Sequence, residues 1–202
     1  MKKTFVISML LLLSISFAFA QAQGNYGVRA GLNLSNFDGD SKADNKIGFH
    51  AGFMMEYKVH PLIVVQPELL YTQRGTHHET KVPGTTSKTD DLLHYVELPI
   101  FLKASIGTAD FKIEPYLGPE FRYLVKGGWK TKAGSSETSG DYDKDDINSF
   151  DYGLGLGLDL RINRDILLGA RYSMGMAEVF KDKLISKKDK NTSIMINLGY
   201  IY

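Results

Sequence analysis

The chain of 202 residues has no cysteine, so no disulfide braces it and no lipoprotein-type anchor can form after its first apolar run. It has almost no net charge: setting Lys2 and Lys3 aside from the 24 bases leaves 22 against 23 acids. That balance excludes the basic stripe a nucleic-acid partner requires. Beyond residue 20 no apolar run approaches the length of a membrane-spanning helix. Helical periodicity is scarce throughout. Hydropathy alone would therefore suggest a soluble protein, but hydropathy does not register chains whose spanning elements alternate instead of running.

What is present begins with "MKKTFVISMLLLLSISFAFA". Two lysines, an apolar stretch and an Ala-Phe-Ala close read as a secretory signal peptide over residues 1–20, with a single domain over 21–202. In that domain a period-2 pattern recurs in eight segments. Tyr26, Val28, Ala30, Leu32 and Leu34 alternate with Gly27, Arg29, Gly31, Asn33 and Ser35. In "FDYGLGLGLDLRI", Leu154, Leu156, Leu158 and Leu160 alternate with glycine and Asp159. Connections alternate too. Short ones fall at His60-Pro61, residues 106–110 and Asn163-Arg164, and long polar ones at residues 37–45, 75–91, 126–147 and 179–191. The expected fold is all-β: an eight-stranded antiparallel up-and-down transmembrane β-barrel in the outer membrane of a Gram-negative cell.

Facing decides between this and a soluble ligand-binding barrel, which turns its apolar face inward. The apolar face carries no charge in any segment, as a hydrocarbon-facing surface requires. The strand glycines fall on the polar face, where a narrow lumen gives them a purpose. Aromatics on the apolar face gather at the strand ends, with Tyr26, Tyr57, Tyr200 and Tyr202 at one end and Tyr71, Tyr123, Phe150 and Tyr152 at the other. The polar face then lines the lumen with Arg29, Lys103, Lys112, Arg122, Arg161 and Arg171 against Glu56, Glu68, Glu97, Glu114, Glu120 and Asp159. Opposite charges so confined should pair into a structural network that fills the interior and leaves no substantial pore. Leu198, Tyr200 and Tyr202 end the chain in the pattern of an assembly signal read by barrel-insertion machinery.

"YGVRAGLNLSNF", "QPELLYTQRG", "YVELPIFLKA", "PYLGPEFRYLV" and "GLGLGLDLRI", in this order and spacing, resemble the PorT-like outer-membrane β-barrel family of Bacteroidetes. The resemblance implies an eight-stranded barrel like those of OmpA and OmpX. The member that names the family is tied to protein export across the outer membrane. It implies outer-membrane lipid as solvent, insertion machinery during biogenesis, and an envelope or secretion partner met through the extracellular loops. Pro67, Pro99, Pro115 and Pro119 fit the family pattern but each removes a ladder donor, so local bulges are expected there.

No catalytic, metal or cofactor set is expected. His77 and His78 in "THHET" read as solvated loop histidines. "DYDKDD", residues 141–146, lacks the glycine and the distal acid of a calcium loop. "GLGLG" has the wrong spacing for a dinucleotide fingerprint. A lipid-modifying barrel enzyme is the alternative, with His94, Ser87 and Asp90 or Asp91 as its only candidate constellation. His50 lies on the lumen side, where it could equally be paired structurally with Glu68.

Overall fold

The computed structural model describes residues 24–38, 44–82, 85–134, 136–142, 147–180 and 189–202, with side chains 80–82 and 85 left aside. The signal peptide expected over 1–20 lies outside these residues. Ten antiparallel strands follow in chain order. They are β1 (Gly24–Asp38), β2 (Asp44–His60), β3 (Ile63–Val82), β4 (Thr85–Ala104), β5 (Ile106–Gly107), β6 (Phe111–Ala133), β7 (Ser136–Asp141), β8 (Phe150–Ile162), β9 (Ile166–Glu178) and β10 (Lys190–Ile201). Eight of them, all but β5 and β7, close into a ring in the order β4-β3-β2-β1-β10-β9-β8-β6, with β6 pairing back to β4. Closure leaves the ring no unpaired edge.

Burial alternates along the barrel portion of the ring strands and ceases where β3 and β6 run on beyond it. Arg29, Asn33 and Ser35 of β1 are buried while Val28, Leu32 and Leu34 are exposed. The outward surface is apolar over its whole circumference, with Phe53 66%, Leu117 64% and Ile196 67% exposed. In water such a surface would drive association; in hydrocarbon it is the required coat. Aromatics rim it. Tyr200 and Tyr202 meet edge to face at the end of the tight turns, and Phe150 and Tyr152 stack at the opposite, loop end. Asn163 and Arg164 both take positive φ (49° and 69°) within the three-residue turn 163–165 that joins β8 to β9.

Two expectations need correction. The segments 75–91 and 126–147 are not loops for most of their length. β3, β4 and β6 run on past the aromatic rim, and β7 pairs with the end of β6, so that four strands form a blade at the loop end. Its residues are small hydroxyls and charges, so period 2 persists without the apolar signal that reveals it. Cross-strand pairs hold it instead: Lys88 with Glu79, Lys130 and Lys132 with Glu137, and His77 with Asp90.

Nor do the prolines make bulges. The β3–β4 ladder skips Glu68 and Leu69 opposite Leu98 and Pro99, and resumes in the same register. The β4–β6 ladder likewise skips Ile100 and Phe101 opposite Gly118 and Pro119. A missing N–H interrupts hydrogen bonding there without adding a residue. The register shifts lie elsewhere: at Val125 of β6, between Asn45 and His50 and between Lys58 and His60 of β2, and between Lys190 and Thr192 of β10.

Candidate functional site: the lumen, its caps and the blade

Because side chains alternate, each ring strand aims every second residue into a space too narrow for anything but other side chains. Eleven of the twelve charged residues expected there from the sequence, all but Lys112, line it, none more than 6% exposed. They form three tiers. Nearest the turns, Arg161 reaches Glu56 at 2.5 Å and Glu114 at 3.0 Å, and Lys103 lies 2.8 Å from Asp159 and 3.4 Å from Glu114. In the middle, Arg29 donates to Asp159 at 2.7 Å and lies 3.4 Å from Glu68. Arg171 grips both oxygens of Glu68 at 2.7 and 2.9 Å, and its guanidinium lies 4.4 Å from the centre of the Phe101 ring. Toward the loop end, Arg122 binds Asp151 at 2.8 Å and Glu120 at 2.5 Å, while Arg74 binds Glu97 at 2.8 Å. Ser173 ties this tier together through Arg74, Arg122 and Glu120.

Apolar side chains close both ends. At the turn end Met54, Leu167 and Ile201 pack together, and Met54 fills space that Gly27 and Gly199 leave open: a Cβ at either glycine would come within 2.9 Å of the Met54 methyl. At the loop end Phe37, Leu93, Tyr95, Ile147 and Val179 form a second cluster, with Leu124, Tyr142 and Phe180 against it. Backbone bonds from Asn148 to Val179, from Val179 to Asp189 and from Leu124 to Ser149 pull these chain segments over the mouth.

Arg74 and Asp151 belong to the network but carry little sequence signal. Arg74 stands where apolar alternation stops, and Asp151 is one step of the same period before Gly153. Lys112 is only half-buried and lines a small hollow at the turn end with Glu56, Lys58 and Arg161. His50 does not pair with Glu68. Its Nδ1 lies 2.5 Å from Asn33 Oδ1, and Asn33 Nδ2 donates to the Phe49 and Gln73 carbonyls. With the Asn33 amide so oriented, His50 Nδ1 carries the proton of this bond.

The candidate enzyme constellation is dispersed. His94 faces outward and hydrogen-bonds Tyr71 at 2.6 Å, whereas Ser87 and Asp91 take the opposite face of β4. His77 and His78 are not simply solvated: each meets an aspartate, Asp90 at 2.6 Å and Asp91 at 3.6 Å. Among the described residues no group of three His, Cys, Asp or Glu is placed to hold a metal ion; of "DYDKDD", residues 143–146 lie outside them. The outward-facing Leu198, Tyr200 and Tyr202 close the ring's last strand and its rim.

In the blade, Tyr142 donates to Asp91 at 2.6 Å, and burial together with that bond raises the phenol far above its ordinary range. Burial pushes the Asp90 carboxyl up, but hydrogen bonds from His77 and Lys46 outweigh it and hold Asp90 below the usual aspartate value. A lowered folded-state pKa stabilises fully above the unfolded value near 4 and is lost as pH falls through the folded one. Hydrogen-exchange protection of the His77 and Asp90 amides is therefore expected to fall once the pH drops below about 4. Protection unchanged down to strong acid would contradict this pairing.

Comparison with solved structures finds similar shapes at low identity. Ail, the attachment invasion locus protein of Yersinia pestis, is 17% identical over 89% of this chain and 99% of its own, with a TM-score of 0.44. Neisserial surface protein A is 13% identical over 87% and 96%, also at 0.44. OprG of Pseudomonas aeruginosa is 11% identical over 89% and 96%, at 0.43. No curated protein matches the chain in sequence. The family model described as "Outer membrane protein beta-barrel domain" matches residues 19–181. The chain thus belongs to the outer membrane protein β-barrel family, and the outer membrane is where it resides.

Proposed function

We propose that this is a non-enzymatic barrel of the PorT-like group, exported by a cleaved signal peptide and inserted by machinery that reads Leu198, Tyr200 and Tyr202. On this reading its lumen passes no solute. Its work lies in the blade and the long connections, held outside the cell, where they meet an envelope, surface or secretion partner. One observation carries the reading: the buried ion pairs fill the lumen between two apolar caps. A conduit would leave its charges facing water along a continuous path. Here the charged side chains are spent on one another.

Conductance of the purified full-length protein in planar bilayers tests this. No stable single-channel steps are expected at moderate voltage. A large, long-lived open state would overturn the closed-lumen reading and make the barrel a porin.

A further inference from the structure

The two faces of the blade differ in chemistry. Strand pairing fixes which residues share a face. His78 lies opposite Thr89, Thr89 opposite Thr131, and Thr131 opposite Thr138, one row across all four strands. Thr89 and Thr131 share a hydrogen bond of 3.0 Å, so their hydroxyls lie on the same side. One step nearer the barrel, Trp129 lies opposite Gly140, and the indole rests where a Gly140 Cβ would stand, 2.9–3.1 Å away. Among the described side chains this inner face carries no Lys, Arg or Glu, and its acid is Asp91. The charges of the blade (Lys88, Asp90, Lys130, Lys132 and Glu137) are paired on the outer face. Every member of the hydroxyl row is half-buried or exposed, and so is Trp129.

We propose that this inner face binds an uncharged saccharide chain of the surrounding cell surface. The chemistry of the face selects that class. An indole offers a flat apolar body that suits the C–H face of a pyranose ring, and needs no charge on the ligand. Threonine hydroxyls both donate and accept, as sugar hydroxyls do, so either partner can supply the proton. The strands stand about 4.8 Å apart, close to the scale of one sugar ring, so Thr89, Thr131 and Thr138 set hydroxyls on three successive strands beside His78. A nucleic acid, an acidic lipid headgroup or a sulfated glycan would seek lysine or arginine, which this face lacks and the opposite face holds in pairs. Gly140 is part of the design: any side chain there would displace the indole.

The proposal rests on the reading that the blade stands outside the membrane, but its test does not. Trp129 is the only tryptophan in the chain, so intrinsic fluorescence reports on this face alone. The full-length protein is reconstituted in nanodiscs free of sugar-headed detergent. It is titrated with the neutral fraction of lipid-free polysaccharide released from the producing cells, and with a heparin-derived hexasaccharide as the charged probe. A saturable change in Trp129 emission is expected with the neutral probe, about tenfold weaker in Thr131→Glu and unaltered in Ser139→Glu, at an exposed position on the outer face opposite Lys130. Heat-modifiable gel mobility checks that both variants remain folded, and Thr131→Ser, which keeps the hydroxyl, should bind as the parent does. No saturable change with the neutral probe, a response to the heparin fragment alone, or equal loss in both glutamate variants would overturn the assignment. None of these results bears on the closed lumen, which conductance tests separately.

Discussion

Leu156→Arg is expected to block insertion of the barrel into lipid. Leu156 stands midway along β8 on the outward face, between Leu117 and Tyr172 on the neighbouring strands, and is 56% exposed. An arginine at mid-membrane costs about 2–4 kcal/mol, a large part of a typical stability of roughly 5–15 kcal/mol. Folding of urea-denatured protein into vesicles, followed by the heat-modifiable band, measures it. The lumen control matters. Gly155→Ala is not the mild change that alternation alone suggests, because its Cβ would lie 2.5 Å from a Glu120 oxygen and 2.8 Å from the Phe101 ring. Ser193→Ala is the better control. Its hydroxyl is buried without a hydrogen-bond partner among the described residues, so removing it forfeits nothing. Equal effects of Leu156→Arg and Ser193→Ala would reject the assignment of the two faces.

The second large effect lies inside. Glu68→Leu should destabilise the barrel by about 3–5 kcal/mol, the usual consequence of stripping one partner from a buried ion pair. Glu68 accepts both nitrogen–oxygen contacts of Arg171, lies beside Arg29, and also accepts from Gln66 at 2.5 Å. Its loss leaves Arg171 with Glu120 at 4.0 Å as its carboxylate and a long hydrogen bond of 3.4 Å to the Tyr116 hydroxyl. Adding Arg171→Met to Glu68→Leu should recover much of the loss, since the pair was stabilising mainly relative to a widowed charge. Urea unfolding of the two single variants and the double variant in one lipid system gives the coupling energy. A loss under about 1 kcal/mol for Glu68→Leu would mean that water reaches the site and the lumen is not closed around it.

The strands within the membrane were legible because hydrocarbon and lumen impose opposite demands at alternate positions. Leu154 and Gly155 could hardly be arranged otherwise, and the charged residues opposite the apolar face had nowhere to go but inward. Legibility ended where that contrast ended. Beyond Thr72 of β3 and Leu124 of β6 both faces meet water or caps, so Arg74 and the blade carry no apolar alternation and read as loop. The His50–Asn33 contact was hidden for another reason. Lumen neighbours are set by barrel closure and side-chain reach, and Glu68 was the obvious guess only on the grounds of charge. The prolines misled through a sound rule applied one step too far: a lost donor interrupts a ladder, but register survives when the flanking pairs hold.

Ring closure also has a consequence for the order of assembly. β1 pairs with β10, the first strand made with the last, and Arg29 finds Asp159 at a separation of 130 residues. A half barrel of β1 to β4 would hold Arg29 and Glu68 in hydrocarbon without Asp159 and Arg171, the partners that arrive only with β8 and β9. No partial ring is then a resting place, and the long sequence separation of these contacts makes the search slow. The charges that fill the finished lumen thereby enforce an all-or-none entry into the membrane: until β10 has docked on β1, the chain is better off outside.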